Sequence, residues 1–312
     1  MSMGDSTLRG FAFWPMLHGM ASGIYIHAGA HRTGTSSFQM FLSVNAEAIR
    51  ARGYDLAYPG RDDIPGGRLR LRLPGPSTGG KRKQELREFL AEEMQVYSTA
   101  PDRPLILSEE NIPGRMMPFY GGEFFPAIRR RLKFLKAHLP GPVDRLVYVL
   151  RPYDELFASA YRKRAEDNAC PPFADLKPGM IAMEAGWPHV ISALRDVLKP
   201  RELIVLTYDQ RGSNRDLFGH LVPDLADGDW VEPERSMNVS ATDAGLMVLQ
   251  KHYATGLTLE RKEWQEVLRL YSSENGDRGF ASFDEDETAQ IRARYANDLA
   301  ELREMPGVTL IE

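Results

Sequence analysis

The chain has 312 residues, of which 43% are hydrophobic and 26% are charged, and its formal net charge at pH 7 is -4. This composition is typical of a globular protein, and the acidic balance disfavours a general nucleic-acid binder, which is usually strongly basic. The single cysteine, Cys170, excludes an intramolecular disulfide framework and leaves too few thiols for a zinc or iron-sulfur site. We therefore expect no metal and a reducing, cytoplasmic location. Because no apolar run is long enough to cross a bilayer, we also expect no membrane span.

Residues 1–22 are predicted to form a loose N-terminal leader ahead of a single α/β domain at residues 23–312. Five apolar or β-branched runs bounded by turn residues are predicted to be strands: 24–28, 54–58, 104–107, 145–150 and 202–207. Helical patterns lie between or after them, at 36–51, 81–97, 124–138, 153–166, 189–198 and 214–221. This alternation predicts a parallel sheet with helices on both faces. After Pro233 only helical patterns follow (241–254, 259–271 and 284–304), which predicts a helical C-terminal layer from about residue 240.

The segment GAHRTGTS, residues 29–36, connects the first predicted strand to the first predicted helix. Gly29 and Gly34 are five positions apart and precede Thr35 and Ser36, which is the frame of a phosphate-binding loop, G-x-x-x-x-G-K-[ST], with Thr35 at the lysine position. Glycines let successive N–H groups and the helix N-terminus converge on an anion. Hydroxyl donors would come from Thr33, Thr35, Ser36 and Ser37. The nearest cation is Arg32, so we expect an anion less charged than ATP, the alternative being a turn that only caps the helix.

A second segment, RLVYVLRPYDELFASAYRKR at residues 145–164, is predicted to be a strand that leads into a helix. Arg151 stands at the carboxyl end of the strand, and Pro152 suits the opening of a helix. Ser159 follows Arg151 by eight positions, so both side chains can face the crevice where ligands bind in open α/β sheets. They would clamp a second phosphate. Alternatively, Arg151 pairs with Asp154 and Ser159 faces solvent.

Taken together, the two segments resemble the sulfotransferases that use 3'-phosphoadenosine 5'-phosphosulfate (PAPS), and they look most like bacterial members. Residues 32–37, RTGTSS, match the signature K-T-G-T-T-S that binds the 5'-phosphosulfate, with Arg32 in place of lysine. Arg151 and Ser159 match the pair that binds the 3'-phosphate, although Pro152 follows Arg151 directly. The resemblance implies a P-loop-type fold and transfer of a sulfuryl group without a metal. Arg32 and the loop amides would stabilise the leaving group.

A general base is sought at the end of the third predicted strand, where Glu109 and Glu110 are adjacent. Neighbouring residues of a strand point to opposite faces, so one carboxylate is expected to enter the site. In the bacterial members of the family this strand resembles S-x-E, which implies Glu110 as the base. Ser108 would orient the cofactor or a substrate. The alternatives are a glutamate that merely pairs with an arginine such as Arg115, or His31 as the base.

Two further regions are assigned by resemblance or composition. The segment 233–243 looks like the one that closes over adenosine in bacterial relatives, which implies Arg235 and Asn238 as ligands; Ser240 or Thr242 could instead simply cap the next helix. The basic runs 81–83 and 129–136 either attract a polyanion or form solvated helix faces. Irregular loops at 60–80, 111–122, 170–188 and 272–283 are expected to shape the acceptor site through six aromatic side chains: Phe119, Tyr120, Phe173, Trp187, Phe280 and Phe283.

The resemblance thus implies an enzyme that moves a sulfuryl group from PAPS to a hydroxyl or amine acceptor, such as a carbohydrate, a lipid-linked glycan or a phenol. A P-loop kinase is an alternative, but it needs a lysine where Thr35 stands and an acidic magnesium ligand at a strand end. A non-catalytic nucleotide or glycan binder is the other alternative.

Overall fold

The fold is built on a six-stranded sheet in which all paired strands are parallel. The computed structural model describes residues 23–100, 102–234 and 241–312, so the predicted leader lies outside the described residues. The strands are β1 (Ile24–His27), β2 (Asp55–Ala57), β3 (Leu105–Ser108), β4 (Val143–Leu150), β5 (Glu202–Thr207) and β6 (Thr309–Ile311). Their order across the sheet is β2-β3-β1-β4-β5-β6. The prediction of a parallel sheet is confirmed.

Helices cover both faces of this sheet. They are α1 (Thr35–Val44), α2 (Ala46–Ala51), α3 (Gly80–Tyr97), α4 (Ile128–Lys136), α5 (Tyr153–Ala165), α6 (Phe173–Ile181), α7 (Trp187–Ala193), α8 (Asn214–Leu221), α9 (Asp243–Ala254), α10 (Arg261–Leu270) and α11 (Glu285–Arg303). One core lies under α1, α2 and α8, and the other lies under α3, α4, α5, α7 and α11. No helix within the described ranges is both long enough and apolar enough to cross a membrane.

The central strands read as continuous apolar runs because both of their faces are buried. In β3, for example, Leu105 and Leu107 pack into one core while Ile106 packs into the other. The chain passes from β1 to the edge strand β2, returns to β3 beside β1, and then crosses to β4 on the other side of β1. Such a switch of direction opens a crevice at the carboxyl ends of the strands. The segments that follow β1, β3, β4 and β5 all begin at this edge.

Three predicted elements are wrong. The part after Pro233 is not helical only, because β6 pairs with β5 at the end of the chain; three residues are too few for a recognisable strand pattern. The predicted loop at 170–188 contains α6, whose Pro178 and Gly179 disguise a helix held by the buried Phe173. The predicted helix at 36–51 is two helices, interrupted at Asn45, whose side chain exchanges hydrogen bonds with the backbone of Val231 (both 2.9 Å).

Most of the aromatic side chains predicted to shape the acceptor site serve the core instead. Phe119, Phe173 and Trp187 are buried, and Phe280 and Phe283 pack against the same core. Within this cluster, the ring of Phe119 contacts three other phenylalanines, with centroid distances of 5.1–5.4 Å. Loop position alone could not reveal this, because burial of these rings depends on the helices packed over them. Only Tyr120 of the six aromatics lines the cavity described below.

The basic run 129–136 is not simply a solvated face, because Arg131 is buried. Its guanidinium donates to the carbonyls of Ile112 (3.2 Å) and Leu73 (3.1 Å), and so ties the segment after β3 to the loop at 60–80. Burial, with a smaller contribution from Arg115, lowers the pKa of Arg131 to about 10. The charge is therefore retained at neutral pH.

We expect Phe119→Ala to lower the free energy of unfolding by about 3–5 kcal/mol, because it empties a fully buried ring site. Val96→Ala, at a valine that is 63% exposed, is the control and should change stability by less than about 0.5 kcal/mol. Urea denaturation followed by circular dichroism measures both values. A similar loss for the two variants would contradict the core assignment of Phe119.

Candidate active site

A cavity of about 510 Å³ opens at the carboxyl edge of the sheet. Its walls come from the segment after β1, the segment after β3, helix α5 and Tyr208 after β5. Six lining side chains are basic: Arg32, Arg61, Arg115, Arg151, Lys163 and Arg164. Only Glu110 and Asp167 are acidic in this lining. Although the whole chain carries a net negative charge, this cavity concentrates positive charge and is suited to an anionic ligand.

Residues 29–37, here called the glycine turn, form one end of the cavity. Gly29 and Gly34 have φ values of 105° and 84°, a region that favours glycine. Val149 of β4 donates to the carbonyl of Gly29 at 2.8 Å, which fixes the turn to the sheet. The hydroxyls of Thr33 and Thr35 both donate to the carbonyl of Ala30, at 2.7 and 3.1 Å. These two hydroxyls therefore stabilise the turn rather than point their protons at a ligand, contrary to the prediction.

The first turn of α1 faces the cavity with its backbone N–H groups. No side chain caps this helix, and Gly34, Thr35, Ser36 and Ser37 all line the cavity. The first N–H groups of a helix have no partner within the helix and carry a partial positive charge, so together they attract an anion. The hydroxyl of Ser37 accepts a hydrogen bond from Asn214 (3.1 Å), which leaves its own proton for a ligand.

Arg32 joins the two sequence motifs. Its backbone is in the left-handed region (φ 62°). Its Nε donates to the hydroxyl of Ser159 at 2.8 Å, and its carbonyl accepts from Nη1 of Arg151 at 2.6 Å. Arg151 also contacts the carboxylate of Glu155 (3.3 Å), not Asp154, and lies over the ring of Tyr208 (4.9 Å). The predicted pair is thus brought to the glycine turn, with Arg151 in the cavity wall and Ser159 behind Arg32.

The two adjacent carboxylates have different surroundings. Glu109 is buried, pairs with Arg61 at 2.6 Å and accepts from the backbone N–H of Asn111 at 2.7 Å. The side chain of Glu110 is 18% exposed, lines the cavity and lies 3.5 Å from the same Arg61. The arginine beside Glu109 is therefore Arg61, from the loop at 60–80, and not Arg115. Of the two carboxylates, Glu110 is the one that lines the cavity.

Both histidines near the site are neutral at pH 7. His31 lies 2.8 Å from the carbonyl of Gly114, and because a carbonyl only accepts, Nε2 carries the proton. Burial lowers the pKa of His31 to about 4 and that of His27 to about 3. Ser108, expected to orient a substrate, is fully buried and bonds His27 at 2.9 Å. Ser108 therefore belongs to the core, and His31 holds the segment after β3 in place.

Arg211 is a residue that the sequence analysis missed. Its guanidinium lies against Gly34, donates to the side chain of Asn214 at 2.6 Å and approaches the carbonyl of Gly34 at 3.4 Å. Its Nε is buried without a hydrogen-bond partner among the described residues, and burial lowers its pKa. The sequence signal for Arg211 was its position after the fifth predicted strand, because the carboxyl ends of parallel strands meet at one edge of the sheet. Arg211 adds a cation behind the first turn of α1.

The proposed adenosine ligands Arg235 and Asn238 lie outside the described residues, as does Ser240. Of the alternative caps, the hydroxyl of Thr242 accepts from the N–H of Gly245 at 3.3 Å and so caps α9. The Thr242 cap is compatible with an adenosine-binding role of the segment 233–243 and equally with a role in capping alone.

Comparisons with known proteins assign no family. A scan against protein-family models found no match to the chain. A search of the curated proteins likewise found no match. The function has to be inferred from the chemistry of the cavity.

We expect His31→Gln to reduce the acid sensitivity of the protein, because glutamine keeps a donor for Gly114 but does not titrate. The pKa of His31 is about 4 in the folded state, against 6.5 as its ordinary value, so the unfolded state binds the proton more tightly. The contribution of His31 to stability is therefore complete above pH 6.5 and is lost as the pH falls towards 4. The loss amounts to about 3 kcal/mol.

Urea denaturation at pH 7, 5 and 4 measures this effect. The variant should lose less stability than the original protein between pH 7 and pH 4. The control is His252→Gln, at an exposed position of α9. An unchanged pH dependence in His31→Gln would show that His31 is not buried as a neutral side chain.

Proposed function

We propose that the protein is a sulfotransferase with a P-loop-type fold, which transfers a sulfuryl group from PAPS to a hydroxyl group of an acceptor. The observation that carries this proposal is the contact at Arg32. There the glycine turn meets Arg151 and Ser159, although these residues are 119 and 127 positions away in sequence. Both segments that resemble the sulfotransferase signatures are thus joined at one cationic cavity.

The residues of the cavity fit the charges of PAPS. A volume of about 510 Å³ is in the usual range of small-molecule sites. The uncapped first turn of α1, with Ser37, would hold the 5'-phosphosulfate, and Arg151 would hold the 3'-phosphate. Ser159 would act mainly through Arg32, since its hydroxyl accepts from that guanidinium. By resemblance, Arg235 and Asn238 would close over the adenosine.

PAPS supplies an activated sulfuryl group whose leaving group is a phosphate. The leaving oxygen gains negative charge during transfer, so fixed donors aimed at it stabilise the transition state more than the ground state. The N–H groups of the glycine turn and the guanidinium of Arg32 are such donors. On the acceptor side, Glu110 would take the proton of the attacking hydroxyl. Glu109 would hold Arg61, which in turn orients the carboxylate of Glu110.

Phosphoryl transfer from ATP is less well supported. The position of the P-loop lysine is taken by Thr35, which is buried and whose hydroxyl donates to Ala30. A triphosphate would therefore lack the cation that usually meets its β- and γ-phosphates. PAPS places less charge at this turn and needs no lysine there. A purely binding role is separated from catalysis by the turnover measurements below.

Adenosine 3',5'-bisphosphate (PAP), the product that PAPS leaves after sulfuryl transfer, should stabilise the protein in thermal shift assays far more than AMP does. In Arg151→Ala the affinity for PAP should fall about tenfold or more, while the affinity for AMP changes little, because charged hydrogen bonds contribute roughly 1.5–3 kcal/mol each. Arg292→Ala is the matched control. Arg292 also pairs with Glu155 (2.7 Å) but does not line the cavity.

The comparison of the two nucleotides separates a lost phosphate contact from a disordered glycine turn. Disorder of the turn would weaken AMP and PAP equally, since Arg151 also holds the carbonyl of Arg32. Equal stabilisation of the original protein by PAP and AMP would contradict a 3'-phosphate site.

Glu110→Gln should lower the rate of PAP release from PAPS by about 10²–10⁴, measured with the best acceptor from a panel of phenols and sugars. The affinity for PAP should stay the same or rise, because a negative charge leaves the cavity. Glu109→Gln should instead lower stability, since it leaves Arg61 facing a neutral amide. Unchanged turnover in Glu110→Gln would show that Glu110 is not the general base.

A further inference from the structure

The cationic cavity has a second end, at the carboxyl-terminal end of α5, beyond the contact between Ser159 and Arg32 of the glycine turn. Helix α5 begins beside Arg151 and carries Arg164 near its other end. Arg164 follows Ser159, which accepts the hydrogen bond from Arg32, by five positions, which corresponds to about 7.5 Å along a helix. Arg115, from the segment after β3, lines the same cavity. The contacts proposed for PAPS use Arg32 and Arg151 and assign no ligand to Arg115 or Arg164.

The charges at this second end are only partly neutralised. Lys163 pairs with Glu166 at 2.7 Å. Within the described ranges, neither Arg115 nor Arg164 forms an ion pair with a carboxylate. The acidic side chain that lines the cavity at this end is Asp167, which accepts a hydrogen bond from Asn168. Arg115 and Arg164 therefore line the cavity without an ion pair between either guanidinium and a carboxylate of the described residues.

Arg164 is held by its neighbours. Its guanidinium lies over the ring of Tyr120, 5.6 Å from the centroid, and the Tyr120 hydroxyl donates to the carbonyl of Ala160 at 3.1 Å. The Cys170 thiol is the other neighbour: burial raises its pKa, and Arg164 partly lowers it. Met116 and Met117, which precede Tyr120 in the same segment, also line the cavity and provide an apolar surface. This end combines two cations with a ring and two thioethers.

We propose, resting on the sulfotransferase function above, that the acceptor carries an oxyanion, a carboxylate or a sulfate ester, which Arg115 and Arg164 bind. Guanidinium groups bind such groups with paired, charge-assisted hydrogen bonds. The apolar part of the acceptor lies on Tyr120 and the two methionines. Its hydroxyl then faces Glu110, which lines the same cavity.

The test compares three glycosides that differ only at C6: 4-nitrophenyl β-D-glucoside, the corresponding β-D-glucuronide and the glucoside 6-sulfate. Their dissociation constants are measured by calorimetry on the full chain, with and without saturating PAP. The proteins are the original chain, Arg115→Gln, Arg164→Gln and the control Arg87→Gln, at an exposed position of α3. The affinity for PAP is measured for each protein in the same series.

At least one anionic glycoside should bind the original protein about tenfold or more tightly than the glucoside, as expected for a charge-assisted contact. This preference should largely disappear in Arg115→Gln and Arg164→Gln and persist in Arg87→Gln, with the affinity for PAP unchanged. Preference for the glucuronide or the 6-sulfate identifies the oxyanion as carboxylate or sulfate.

Equal binding of all three glycosides, including no measurable binding of any at millimolar concentration, overturns the anionic acceptor. A preference that survives in both cavity variants also overturns it, because other residues then recognise the anion. Absence of PAP binding contradicts the sulfotransferase function alone. In that case, an arginine-dependent preference without PAP would still show an oxyanion site at this end.

Discussion

The site depends on one backbone conformation, the left-handed residue at Arg32. A non-glycine residue in this region costs on the order of 1 kcal/mol or more and persists only when its surroundings hold it. Here Arg151 donates to the Arg32 carbonyl and Ser159 accepts from the Arg32 guanidinium. Through these two bonds the conformation of the glycine turn is set by the end of β4 and by α5. The turn and the second motif therefore form one unit.

The surroundings of this unit keep their positive charge because several arginines have carbonyls or aromatic rings, and not carboxylates, as partners. Arg131 and Arg211 donate to backbone carbonyls and an amide oxygen, and Arg164 lies over an aromatic ring. Such partners satisfy N–H groups without cancelling the charge. Carboxylates orient two of the cavity's arginines: Glu109 pairs with Arg61, and Glu155 pairs with Arg151. A chain with a net negative charge thereby keeps an attractive cavity for anions.

The sequence was sufficient for the elements whose pattern is local. The central strands are buried on both faces and read as apolar runs, and the glycine spacing marked the turn after β1. The sequence did not reveal β6 or α6, which depend on pairing with β5 and on burial of Phe173. Within the site, Arg151 was selected by spacing, Arg32 as the cation nearest the turn and Glu110 by resemblance, and all three line the cavity. The sequence could not tell that the Thr33 hydroxyl turns inward. Directions inside a turn, and partners from distant loops, are set by tertiary contacts.

Arg61 shows why such a distant partner matters for the proposed chemistry. A carboxylate base and an anionic donor in one cavity repel each other, and the repulsion is strong where water is scarce. The Arg61 guanidinium lies 2.6 Å from Glu109 and 3.5 Å from Glu110, so a cation stands beside the base. Because Glu109 is buried and Arg61 is partly exposed, the fixed carboxylate anchors the cation at the cavity surface. In the proposed mechanism, the buried Glu109 would thus allow Glu110 to act as a base beside a bound anion.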